Sequence, residues 1–328
     1  MLQPHVSQAL RQSSRRIVIT GASGWLGRAT LDLLGECLSD SFDKRVFCFG
    51  SQARTIEAGN GRRIEQRPLA ELRALSSAPT FVLHYAFLTK DRAEATDEAE
   101  YRAANRLISD TVLDALDAIG AEGVFVASSG AAGFAGDPAA SPAMRLYGEM
   151  KRDDEHSFAQ WADRTGKTAV VARIFNLSGP HINKHDSYAL ACFIIDALSG
   201  GPISVKAAYE VRRGFVSIRE LLSLVFAMLL EGHPGARLFE TGGAPMEMGE
   251  VAEAVAAALG GCGVERAARN QAAADIYLGD DRAYRALLEQ YGIEPVPFAQ
   301  QVVETARFLE KKQQLQVPAG IASGVRPW

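Results

Sequence analysis

At 328 residues the chain is long enough for one large domain or two fused lobes, and its 47% hydrophobic content is ordinary for a globular protein. The 35 Lys and Arg against 39 Asp and Glu give a net charge of -4, which leaves no basic footprint for nucleic acid. Cys37, Cys48, Cys192 and Cys262 form no C-x-x-C pair, so neither a zinc site nor a disulfide framework is indicated, and buried free thiols in a reducing cytoplasm are expected.

Residues 1–14 are polar and lack the apolar region of a secretory signal; they read as a loose extension. Ile17-Val18-Ile19 then reads as a strand, followed by the glycine-rich Thr20-Gly21-Ala22-Ser23-Gly24-Trp25-Leu26-Gly27 and a helix from Trp25 to Leu38. Strand, glycine turn and helix make an anion site, because backbone N–H groups and the helix dipole converge at the turn. Gly21 permits the tight turn, Gly24 a close approach of pyrophosphate, and Gly27 close helix–strand packing. Together with Ser23, Trp25 and Leu26 these residues are the candidate dinucleotide cradle.

Arg45 to Phe49 reads as the second strand, ending in Gly50-Ser51-Gln52-Ala53-Arg54. An NAD site usually places an acid at this point for the adenine ribose. Here Ser51 and Arg54, with Arg28, suit a 2′-phosphate instead, so NADP is favoured over NAD. A short strand is expected near Arg63 to Gln66, a buried strand at Phe81 to Ala86, and a helix over 95–120 with Leu107, Thr111, Leu113 and Leu116 as its core face. Gly123 to Ser128 is a further strand. Alternating strands and helices predict an α/β fold with a doubly wound parallel sheet, whose ligands bind at the carboxyl ends of the strands.

The strand ending in Ser128-Ser129 is followed by a loop and then by Tyr147-Gly148-Glu149-Met150-Lys151, read as opening a helix to about Arg164. Tyr147 and Lys151 are four apart and share a helix face. A lysine beside a phenol favours the phenolate, which can exchange a proton with a hydroxyl while hydride moves to or from a nicotinamide. Leu221 to Leu230 is apolar but too short to span a bilayer, and no membrane association is expected.

In this order, TGASGWLG (20–27), VLHYA (82–86), VFVASSGA (124–131), YGEMK (147–151), ARIFNLSGP (172–180) and RRGFVSIREL (212–221) resemble the extended short-chain dehydrogenase/reductase family, in its nucleotide-sugar epimerase and dehydratase branch. LFETGG (238–243) and a helical stretch near 297–312 also fit. The resemblance implies a Rossmann-type domain over 15–178, a smaller, interleaved substrate lobe mainly over 179–312, and a tail at 313–328. It implies that His84 and Ala86 lie along the cofactor and that Ser129, Tyr147 and Lys151 are catalytic. Tyr147 would be the acid/base, and Lys151 would also hold the nicotinamide ribose. Ser129, Asn176 and Arg213 would contact a nucleotide-linked sugar, Arg213 through its diphosphate. A homodimer paired through the helices near 97–120 and 144–165 is implied as well.

Where the family carries a small residue after His-x-Ala, this chain has Phe87. No acid follows Ser128-Ser129, which argues against a dehydratase, and Gly130 stands where double epimerases carry a cysteine. What remains is 4-epimerisation or one-way hydride transfer at a sugar carbon. Two alternatives stay open: an NADP-dependent reductase of a non-sugar carbonyl, and a non-catalytic NADP-binding sensor. His181 and His185 read as loop polarity rather than metal ligands, and Asn105 as structural.

Overall fold

The computed structural model describes residues 1–316. It comprises two compact units, one of Met1–Leu177, Arg213–Pro245 and Tyr277–Pro295, the other of Ser178–Arg212, Met246–Ile276 and the chain from Val296 onward.

In chain order the elements begin with α1 (Pro4–Gln12), β1 (Arg16–Thr20), α2 (Trp25–Leu38), the short α3 (Phe42–Arg45), β2 (Val46–Gly50), β3 (Arg54–Glu57) and β4 (Arg63–Pro68). Next come β5 (Thr80–His84), α4 (Lys90–Ala95), α5 (Glu98–Leu116), β6 (Ala121–Ser129), α6 (Pro142–Thr165), β7 (Thr168–Ile174) and β8 (Leu177–Ser178). They continue with α7 (Ala189–Leu198), β9 (Ile203–Val205), β10 (Val211–Arg213), β11 (Val216–Ser217), α8 (Ile218–Glu231) and β12 (Gly235–Glu240). The last are β13 (Met246–Glu247), α9 (Met248–Ala258), β14 (Val264–Arg266), β15 (Asp275–Tyr277), α10 (Asp281–Gln290) and α11 (Phe298–Gln316).

Among the described residues, the first unit is built on an eight-stranded sheet in the order β12-β7-β6-β5-β1-β2-β4-β3. Its pairs are parallel except β3 with β4. The inner strands are near-continuous apolar runs because both faces are covered. Ile17, Ile19, Phe81, Leu83 and Phe125 pack on one face with Leu31 and Leu34 of α2 and Leu221, Val225 and Leu229 of α8. Val18, Val82, Val124 and Val126 pack on the other with Val112 and Leu116 of α5 and Phe158 and Trp161 of α6. The expected doubly wound sheet is what the chain forms.

Three expectations need correction. The first 14 residues are not a loose extension: Leu2, Val6 and Leu10, spaced four apart, are buried, and α1 packs on α2 and α8. The core stripe of α5 is Tyr101, Asn105, Ser109, Val112 and Leu116, whereas Leu107 is 69% exposed and Thr111 is only half-buried. Two polar members of that stripe are tolerated because they are bonded, Ser109 to Asp154 and Asn105 to the backbone of Tyr101 and Leu88. Helix α11 runs to Gln316, so the first residues assigned to a tail are helical, and 317–328 lie outside the described residues.

The second unit packs α7, α9 and α11 together and pairs β9 with β14 in parallel. Glu247 caps α9, closes a capping box with Glu250, and is gripped by Arg266 at 2.6 Å through both oxygens. The pairing with Arg266 holds the Glu247 carboxyl well below its usual range, at about 2.

Candidate active site

Strand β1 has β2 on one side and β5 on the other, so the chain leaves it in one direction and later returns to its opposite edge. That reversal is the switch point at which open α/β sheets bind ligands. The glycine turn stands there. Gly21 has φ +69, and a Cβ on it would meet Ala86 N at 2.7 Å, so the turn and the segment after β5 run against each other. A Cβ on Gly27 would lie 2.6 Å from Ala22 Cα, which fixes how closely α2 approaches β1. A Cβ on Gly24 would meet only Gly21 O, at 3.3 Å, so its other sides face open space. Gly24 caps α2 without a side-chain bond, and the first turn of the helix carries no acid. This arrangement fits a pyrophosphate.

His84 ends β5. Its Nδ1 lies 2.8 Å from Thr20 Oγ1, which also accepts the Ala86 N–H at 3.3 Å. Burial, with Lys151 nearby, pushes the imidazole down to about 3, so it is neutral at physiological pH. Its Nε2 is buried and has no partner among the described residues. Ser51 and Arg54 are exposed beyond β2, and Arg54 opens β3 rather than sitting in a loop. Arg28 bridges the turn to β3, donating to Ser23 O at 3.2 Å and Glu57 O at 3.4 Å. The four residues after β2, Ser51 to Arg54, thus carry a positive charge and no acid.

At the end of β6, adjacent serines point opposite ways, as strand alternation requires. Ser128 donates to Glu155 at 2.5 Å, and Glu155 takes two bonds from Arg173, at 2.9 and 2.8 Å. Ser129 turns to the other side, where Oγ accepts from Ala131 N–H at 3.2 Å and stands beside the Tyr147 phenol. Helix α6 starts a turn and a half before Tyr147, with Ser141 as N-cap and Pro142 in its first turn. Gly148 lets that helix press on the turn after β6; a Cβ there would sit 2.2 Å from Ala131 O. This close approach carries Tyr147 to Ser129.

The Lys151 side chain is buried, with Nζ donating to Ala127 O at 2.8 Å. It lies 6.0 Å from the centre of the Tyr147 ring and 3.6 Å from that of Phe87. Burial pulls the lysine down to about 8, partly offset by the Asp154 and Glu155 carboxylates. The Tyr147 phenol is raised above its ordinary value by burial, and the neighbouring Ser129 hydroxyl pulls it down by less. The expectation of a phenol lowered by its lysine is not met: burial sets the direction of the Tyr147 shift, and Lys151 is turned towards Ala127 and Phe87.

Asn176 donates to Gly214 O at 3.3 Å, tying the end of β7 to the segment that carries Arg213. Arg212 pairs with Glu210 at 2.5 Å, whereas the Arg213 guanidinium stands 5.9 Å from the centre of the Tyr277 ring. Tyr277 is the functional candidate that sequence reasoning missed. Its hydroxyl is 3.4 Å from Ser129 Oγ, and its ring packs on Phe175 at 4.7 Å and Phe134 at 6.0 Å. It ends a three-residue strand in a polar, alanine-rich stretch, with no periodicity to mark it. Among the described residues no group of three or more His, Cys, Asp or Glu can hold a metal ion.

Comparison with known proteins bears on this geometry. The profile of the NAD dependent epimerase/dehydratase family matches residues 17–239. UDP-glucuronic acid decarboxylase 1 of Xenopus tropicalis is 31% identical over 83 residues, 25% of this chain and 20% of that protein, so the match spans a fifth of the relative's length. Among solved structures, the UDP-N-acetylglucosamine 4-epimerase of Methanobrevibacter ruminantium M1, in complex with UDP-N-acetylmuramic acid, superposes with a TM-score of 0.70 at 18% identity, over 91% of this chain and 99% of that one. The dTDP-glucose 4,6-dehydratase DesIV of Streptomyces venezuelae, with NAD and TYD bound, gives 0.67 at 18% over 92% and 99%. The UDP-glucose 4-epimerase of Thermus thermophilus, in complex with NAD, gives 0.64 at 21% over 90% and 99%. These likenesses agree with the Rossmann-like sheet. The chain belongs to the NAD dependent epimerase/dehydratase family.

Proposed function

We propose that the protein is an NAD(P)-dependent epimerase or oxidoreductase of a nucleotide-linked sugar, acting by hydride transfer at C4. The observation that carries this reading is the convergence of Ser129, Tyr147 and Lys151 beside the segment that runs against the glycine turn. Bound NAD(P) supplies the hydride acceptor and donor. Tyr147 takes the C4 hydroxyl proton as hydride leaves that carbon, and Ser129 holds the same oxygen. Returning both to the opposite face after the sugar turns over is 4-epimerisation; returning neither is oxidation. The Lys151 charge favours the phenolate during the first step. Arg213 suits the substrate diphosphate, and Asn176 holds the segment that presents it.

Arg28, Arg54 and the missing acid after β2 support NADP. The same features make a one-way reductase the natural partner of an exchangeable cofactor. The rings of Phe134, Phe175 and Tyr277 around Ser129 favour a second reading, reduction of a flat non-sugar ketone. We further place the protein in the cytoplasm, on its four free cysteines, and as a dimer through α5 and α6, on the exposed Leu107.

The test is to denature purified protein and identify the nucleotide released. Near-stoichiometric NAD, with inversion of UDP- or dTDP-sugars at C4, supports the epimerase. Protein free of nucleotide that prefers NADPH and reduces keto-sugars supports the reductase. Turnover of aromatic ketones that is insensitive to Arg213→Ala supports the second reading. No affinity for either nucleotide overturns all three.

A further inference from the structure

We propose that Phe87 is a positioning residue of this site: the face of its ring holds the Lys151 ammonium against the Ala127 carbonyl, and its edge supports the Tyr147 ring. The inference rests on the reading of Tyr147 and Lys151 as the proton-handling pair. It concerns a residue that neither the motif nor the chemistry of the pair requires.

The geometry has three parts. Nζ of Lys151 stands 3.6 Å from the centre of the Phe87 ring, well within the range in which an aromatic quadrupole attracts a cation. The Phe87 and Tyr147 rings meet edge to face, with centroids 5.8 Å apart at 72°. The ring is also held in place from behind. Leu88, the next residue, donates its N–H to Asn105 at 2.8 Å and accepts the Tyr101 hydroxyl at 2.5 Å, and Phe87 packs against Tyr101, Leu146 and Met150. Backbone on one side and a small apolar cluster on the other thus aim the ring at the lysine.

Lys151 needs such support. A buried ammonium has three donors, and its hydrogen bond to a neutral acceptor among the described residues is the one to Ala127 O. The charged and titratable groups that face it are Tyr147, Asp154 and Glu155 from its own helix and His84 from β5. Glu155 is shared with Arg173 and Ser128, and Asp154 with Ser109. His84 is neutral. A polarisable ring face therefore adds a further favourable contact for the ammonium. A small side chain at this position would leave the lysine either to lose its proton or to swing from the Ala127 carbonyl. Phe87 thus helps set both the charge and the place of the Lys151 ammonium.

The experiment is a pH titration of Lys151 in the intact protein, followed by NMR of ¹³C,¹⁵N-lysine-labelled samples, with the signal assigned by its loss in Lys151→Arg. Phe87→Leu and Phe87→Met remove the ring but keep apolar bulk, and whichever melts closest to wild type is the one to read. Phe87→Tyr keeps the ring. The expected result is that the Lys151 midpoint falls by about half a unit to one unit in the Leu or Met variant and is retained in the Tyr variant. The alkaline limb of the pH–rate profile, where Lys151 loses its proton, should fall with it. An unchanged midpoint in a folded Leu or Met variant, or an equal fall in Phe87→Tyr, overturns the proposal. The titration needs neither nucleotide nor substrate, so it can fail while the proposed activity stands. That activity fails separately if no nicotinamide nucleotide binds.

Discussion

The Tyr277 hydroxyl lies 3.4 Å from Ser129 Oγ, so the serine that meets the Tyr147 phenol also meets a second one. Tyr277 is raised by burial, while the Ser129 bond, the Arg213 charge and the Ala131 N–H pull it back. Tyr277→Phe removes the hydroxyl and leaves the ring on Phe134 and Phe175. Turnover of the accepted substrate is expected to fall roughly three- to tenfold, the worth of about one hydrogen bond, with nucleotide affinity unchanged. Steady-state rates and a nucleotide titration on the same samples check this. Unchanged kcat would remove Tyr277 from the site.

Gly24 and Gly27 should respond differently to the same substitution. A Cβ at Gly24 meets only Gly21 O, at 3.3 Å, so Gly24→Ala is expected to fold normally and to weaken nucleotide binding by tenfold or more, on the order of 1.4 kcal/mol. At Gly27 a Cβ meets Ala22 backbone at 2.6 Å, so Gly27→Ala should cost about 1–3 kcal/mol of stability by forcing helix from strand. Thermal melts and binding isotherms separate the two effects.

His84 makes stability depend on acid. Its folded value is depressed, to about 3, so the unfolded chain takes up the proton first, near the ordinary value of 6.5. The contribution is therefore complete above about pH 6.5 and is lost as pH falls towards 3. Between pH 6.5 and 5 the loss is about 2 kcal/mol. In His84→Gln this part of the decline should disappear, leaving a shallower slope in urea unfolding at pH 7, 6 and 5. Parallel slopes for the two proteins would show that His84 does not titrate on unfolding.

Arg54 tests the cofactor preference. It is exposed beyond β2, with Arg28 anchored on backbone oxygens nearby. Arg54→Ala should weaken NADPH about tenfold and leave NADH unchanged if it meets the 2′-phosphate. Equal effects on both nucleotides would assign it no part in the choice.

Local punctuation was the most legible part of the sequence. The helix Trp25–Leu38 is found at its expected bounds because a glycine turn and its preceding strand are short-range signals. The strands near 46, 80 and 121 were legible as apolar runs, and the one near 63 was expected as a short strand. The short antiparallel β3 was not, since Ile56 is its single buried residue. The face of α5 was misjudged because leucines were weighed above bonded polar residues, and Leu107 turned out to be exposed. Tyr147 and Lys151 were paired by their spacing of four and Ser129 by the family resemblance, but the direction of the Tyr147 shift depends on burial, which neither reports. Tyr277 comes from more than a hundred residues further along, and only folding brings it to Ser129.

Ser128 and Ser129 are chemically identical neighbours, yet one is tied to Glu155 and the other faces the phenols. If β6 slipped by one position along β7, Ser128 could stand where Ser129 now faces the phenols, but Ala127 would then stand where Ser128 now meets Glu155. The Glu155 carboxylate, itself pinned by Arg173 from the facing position on β7, makes the correct alignment the one that satisfies a buried charge. The pair thus works as an index pin: it leaves the chemistry alone and settles which of two equal hydroxyls is presented to it.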